Sequence, residues 1–136
     1  MIELGIAIAA VEGAIKLGAL IFKLYKESRE TNLPPSYDEA LATLVEVESL
    51  LEALARVAPN DANIPMAAAK VASIRALLES NRVVAIETWD RLRTLLADIQ
   101  KQLHNVHITA HVAAAHAAAN KAVADAKAGR PSDLKP

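Results

Sequence analysis

Histidine is the one residue type here whose spacing suggests chemistry. Placed on a helix, His104, His107 and His111 fall within one sector of about 60°, with Gln100 on the same side. His107 and His111 stand four apart, a spacing at which two imidazoles can share a metal ion. Structural zinc sites normally take four protein ligands. This face offers three histidines and no carboxylate, because Asp98 points elsewhere and His116 lies on another face. A carboxylate-bridged centre would want Glu-x-x-His, which is absent. His104, His107 and His111 are therefore the candidate metal ligands, set against a simpler origin as the polar flank of a packing seam.

No other constellation points to catalysis. There is no cysteine, no glycine-rich phosphate loop and no nucleophile beside a base. The expectation is a protein that is not an enzyme and needs no cofactor. Pro34-Pro35-Ser36-Tyr37 matches the PPxY pattern that WW-type domains bind. The same residues also stop one helix and start the next, which accounts for them without a ligand.

The elements that would carry these residues are helical. Of the 136 residues, 53 % are apolar, mostly Ala, Leu, Val and Ile, and aromatics amount to 3 %. Ala and Leu favour helices, whereas strands favour aromatic and β-branched residues. No Gly or Pro lies between Met66 and Ala128. The pattern predicts an all-α chain, an elongated helical bundle or hairpin of about four helices with a long heptad-patterned helix at its C-terminal end.

The first helix is expected over Ile2–Glu30. Glu12, Lys16, Lys23, Glu27 and Glu30 form one narrow stripe on it, extended by Gly5 and Ala9, and the rest of its circumference is apolar. Pro34-Pro35 ends it. Ser36-Tyr37-Asp38-Glu39 reads as a capping box that starts a second helix running to about Val57, with a seam of Ala40, Leu44, Val47, Leu51, Leu54 and Ala58. Pro59-Asn60-Asp61 is a turn, and Pro65 suits the first turn of a third helix with the seam Ala67, Val71, Ile74 and Leu78. Ser80-Asn81 is the expected connection to a fourth helix, over Arg82–Ala128, about 70 Å long. Its seam is Ala85, Trp89, Leu92, Leu96, Ile99, Leu103, Val106, Ala110, Ala113 and Ala117. Gly129 suits the position just past its end, and residues 130–136 read as a tail. The chain thus divides into an N-terminal amphipathic helix (1–32), a bundle or coiled-coil region (33–128) and a tail (129–136).

Side chains along the fourth seam shrink from Leu to Ala, so its second half buries little area by itself and is expected to need a partner helix. Leu96, Leu103, Ala110, Ala113 and Ala117 are the candidate self-association residues there. In the first helix Gly5, Ala9 and Gly13 recur every four residues, a spacing that lets helices approach closely. Leu4 to Phe22 carries only Glu12 and Lys16 as charges, and Lys23, Lys26 and Arg29 follow. That leaves two readings open: a helix buried in a bundle, or one that meets a membrane. Each mid-bilayer charge costs roughly 2.5–3.5 kcal/mol, which weighs against a plain span.

Net charge is −1, so no global field selects nucleic acid, and basic residues are not interleaved with aromatics. The charge is uneven. Residues 33–80 hold three basic and seven acidic side chains, and residues 81–136 hold eight basic and five acidic. The expected partners are further copies of the chain or another helical protein, with a membrane as a further surface. The first charge is Glu3 and no cleavage site follows the apolar stretch, so a cleavable signal peptide is not expected. A cytoplasmic or membrane-associated location is. The leading functional expectation is a non-enzymatic structural or interaction protein. A membrane-inserting, pore-forming or permeabilising protein and a histidine metal-binding bundle are the alternatives.

Overall fold

A computed structural model describes residues 4–127, which form four α-helices and no strand. These are α1 (Leu4–Ser28), α2 (Tyr37–Val57), α3 (Asn63–Ser80) and α4 (Ile86–Lys127). Each helix packs on its two neighbours in a closed ring, α1 on α2, α2 on α3, α3 on α4 and α4 back on α1. Short connections force neighbours to run antiparallel. Cross-helix contacts agree: Gly13 meets Val47, Glu48 meets Arg75, Lys70 meets Asp98, and Val84 meets Ser28.

The predicted seams form the core. Leu17, Ile21 and Leu24 of α1, Leu44, Leu51 and Leu54 of α2, Ile64, Ile74 and Leu78 of α3, and Leu92, Ile99 and Leu103 of α4 are all fully buried. Burying one such side chain contributes about 1.5–3 kcal/mol, so the ring closes on hydrophobic burial rather than on ion pairs. Two inter-helix bridges tie α3 to its neighbours. Lys70 Nζ lies 3.1 Å from Asp98 Oδ2. Arg75 pairs with Glu48 of α2, and also with Glu79 of its own helix at 3.2 Å. The bond to Glu48, then that to Glu79, makes the Arg75 guanidinium hold its proton even more firmly than usual.

Three local details differ from the sequence expectations. Ser36 makes no side-chain cap on α2, because its backbone is already in the right-handed helical region. Glu27 of α1 reaches it instead and accepts from both the Ser36 amide and Oγ, each at 2.9 Å. The capping box is therefore not formed; a carboxylate from the preceding helix takes its place. The α3–α4 connection is also longer than Ser80-Asn81. Asn81 is extended, Val84 turns inward and is buried, and its amide donates to Ser28 Oγ at 3.0 Å. That delays α4 to Ile86. Finally, α1 ends at Ser28 rather than Glu30. The expected start at Ile2, the last residue of the fourth helix at Ala128 and the tail lie outside the described residues.

Tyr37 closes the same end of the bundle. Its buried hydroxyl donates to the Leu78 carbonyl oxygen across α2 and α3 at 2.6 Å, with the Arg82 guanidinium over its ring. Tyr37→Phe removes that donor and leaves the Leu78 carbonyl with only the longer bond from the Asn81 amide, at 3.3 Å. Urea unfolding followed by circular dichroism should show about 1 kcal/mol of lost stability; an unchanged midpoint would mean that the Asn81 amide and water together satisfy the carbonyl.

Candidate interaction surfaces

Gln100 fixes which flank of α4 carries the histidines. A Cβ built on Gly18 of α1 would lie 3.3 Å from Gln100 Nε2, so this flank borders α1. His104, His107 and His111 continue along it at helical spacing. His104 and His111 are exposed and His107 is half-buried. Among the described residues, no three or more His, Asp or Glu side chains come together as a metal site. The histidines form a row, about one turn apart, rather than a cage. Treatment with EDTA is accordingly expected to leave the melting temperature unchanged. A drop that added zinc reverses would show that a second chain completes a site.

The predicted self-association residues divide into two groups. Leu96, Leu103 and Ala110 are buried within the chain's own bundle. Gly13 is half-buried, and a Cβ there would lie 3.2 Å from Val47 Cγ2 and 3.8 Å from Leu50 Cδ1. Its small size thus serves α1–α2 packing inside the chain. The others face outward to different degrees. A Cβ on Gly5 would meet nothing within 4 Å. Ala9 and Ala113 are half-buried, and Ala117 is exposed.

Burial along the α4 seam stops at Ala110. Helix α1 spans about 37 Å and α4 about 63 Å at 1.5 Å per residue, so the longer helix outruns the ring. Residues 111–127 project beyond it as an arm of about 25 Å. Every side chain of the arm is exposed except Ala113, Ala122 and Asp125, which are half-buried.

A second outward feature lies on α1. Ile8, Ile15 and Phe22 recur every seven residues and are 38 %, 56 % and 46 % exposed. Lys16, Lys23, Lys26 and Glu12 are exposed around the same outer face. Hydropathy patterning missed this row because it registered α1 as one charged stripe against a continuous apolar remainder. The row's seven-residue repeat is the signal that could have found it. At its C-terminal end, Phe22 lies 5.4 Å from Trp89 and carries the Lys26 ammonium 5.2 Å over its ring. Tyr25 stacks on Trp89 at 5.2 Å.

Elsewhere on the molecule, an open groove of about 430 Å³ lies between α2 and α3, lined by Leu51, Ala55, Ala58, Ile64 and Ala68 with Glu48 and Glu52. Glu48 is engaged by Arg75, and the lining holds no histidine, hydroxyl or amine to act with Glu52.

These features define a four-helix, up-down-up-down bundle whose last helix extends past the ring. Comparison with protein-family models, curated proteins and solved structures gave no match.

Proposed function

We propose that this chain is a non-enzymatic interaction protein that works by packing helices against copies of itself or against a partner's helices. The observation that carries this reading is the α4 arm. It keeps the four-three seam of the bundle through Ala113 and Ala117, yet among the described residues no other helix covers it. Alanine seams permit close backbone approach, and a second helix supplies the contact that the bundle does not. Size-exclusion chromatography with light scattering tests the reading. The full chain should run as an oligomer, and a chain truncated after Ala110 should run as a monomer with an unchanged core melting transition. A full chain that is monomeric at every concentration would remove self-association, leaving only a different helical partner.

A second reading, favoured by the exposed Ile8–Ile15–Phe22 row, is that α1 meets a membrane. By length and composition α1 could cross one: its most apolar window has a mean hydropathy of 1.9. A buried core helix passes the same test, and α1 does supply a wall of the core.

A further inference from the structure

We infer that the outer face of α1 docks flat on an anionic lipid surface while the bundle stays folded. The inference rests on the second reading above and specifies its lipid class and mode. Three observations carry it.

The first is the row itself. Ile8, Ile15 and Phe22 point away from the core at heptad spacing and leave large apolar side chains facing water. An interfacial helix buries such a row at the boundary between headgroups and acyl chains.

The second is charge. Lys16, Lys23 and Lys26 are exposed around the row, with Arg29 just past the helix, against exposed Glu12 and Glu30 and against Glu27, which is engaged with Ser36. The flank of α4 that borders it continues with Gln100, His104, His107 and His111, none of them acidic. The acidic surplus sits on α2, which carries Asp38, Glu39, Glu46, Glu48 and Glu52 against Arg56, with Glu39 and Glu46 on its α1-facing flank. The charge is therefore uneven between the two edges of α1, acidic toward α2 and free of acidic groups along the Gln100–His111 flank of α4. A negative bilayer repels the α2 edge and attracts the lysines of α1, which tilts contact toward the α1–α4 edge, where Phe22 meets Trp89.

The third is how α1 is held. Its inner face buries Ala7, Ala10, Ala14, Leu17, Ile21 and Leu24. Its C-terminal turn is tied to the rest of the chain through Glu27 with Ser36 and Ser28 with Val84. Extracting α1 to span a bilayer would strip the core from both α2 and α4 and carry Glu12 and Lys16 into hydrocarbon. Flat docking needs neither.

The test uses the full chain with vesicles of phosphatidylcholine alone and of phosphatidylcholine containing one third phosphatidylglycerol, read by co-sedimentation. Three lysines near an anionic surface should give about a hundredfold tighter binding to the anionic vesicles, weakened by added salt. Ile15→Ser, and Lys16→Glu combined with Lys23→Glu, should each weaken binding at least about tenfold. Val45→Ser, at a comparably exposed position on α2, should not. Melting curves of the free variants confirm that each is folded. Trp89 is the sole tryptophan, and its near-ultraviolet dichroism reports the stack with Tyr25. That signal should persist on the vesicles. Its loss on binding would mean that α1 has left the bundle and inserted, overturning flat docking. Equal binding to both vesicle types would leave membrane contact standing but overturn the anionic specificity. Binding to neither would remove the inference and the reading beneath it, without touching self-association through the arm.

Discussion

Gly13→Leu is expected to lower the unfolding free energy by about 1–3 kcal/mol, the range for forcing extra methylenes into a packed contact. The physical reason is local. A Cβ at this position already lies 3.2 Å from Val47 Cγ2, and Val47 is itself fully buried. The remaining atoms of a leucine would drive α1 and α2 apart along their shared wall. Gly5→Leu is the internal control. Nothing lies within 4 Å of its Cβ, and replacing a helical glycine removes a conformational-entropy penalty, so stability should hold or rise slightly. Urea unfolding of both variants makes the comparison. A Gly13 variant as stable as the Gly5 variant would mean that the α2 contact yields without cost.

The second large effect separates the two halves of α4. Leu103→Ala opens a cavity in the centre of the ring, where Leu103 is 1 % exposed. It should cost about 2–5 kcal/mol. Ala117→Gly, fourteen residues further along the same seam, removes no buried contact and should leave the core transition unchanged. Its penalty of about 1 kcal/mol falls on the helicity of the arm alone. Calorimetry of the two variants reads this directly. A lowered core transition in the Ala117 variant would show that the arm and ring unfold as one unit.

Much of the architecture is legible in the residues. The seams of Leu44–Leu54, Ala67–Leu78 and Leu92–Val106 each repeat at the helical period, and each is buried as a stripe. Pro34-Pro35 and Pro59 mark two of the three connections, because proline restricts the backbone before it whatever the tertiary context. What cannot be read is what covers a given stripe. Periodicity says that one face of α4 is apolar from Ala85 to Ala117. It does not say that the neighbouring helices end first, so that burial along the seam stops at Ala110. The cap at Ser36 fails to form for a related reason. The local signature is present, but Glu27, nine residues upstream, arrives through the packing of α1 on α2 and competes for the same groups. The apolar character of α1 is equally ambiguous, since a core wall and a membrane helix draw on the same residues. The histidine row follows from helical spacing alone, while its neighbour, the outward row of α1, needs the folded ring to define which side is out.

The continuity of α4 has a consequence for how the arm exists at all. An isolated alanine-rich segment of this length must first close a turn with no prior hydrogen bond, and such nucleation is unfavourable by a factor of about a thousand. In this chain the nucleus is supplied by the core. Leu92 to Ala110 are held helical by burial, and residues 111–127 only propagate an existing ladder, one bond for each residue fixed. The arm is thereby helical within the single chain, with its faces already set relative to the ring, so the expectation that it needs a partner helix to order is not met and a partner would add burial rather than helicity. A helix that meets it encounters a surface whose ordering entropy has largely been spent during folding. The same arm excised as a peptide would have to order itself in the act of binding.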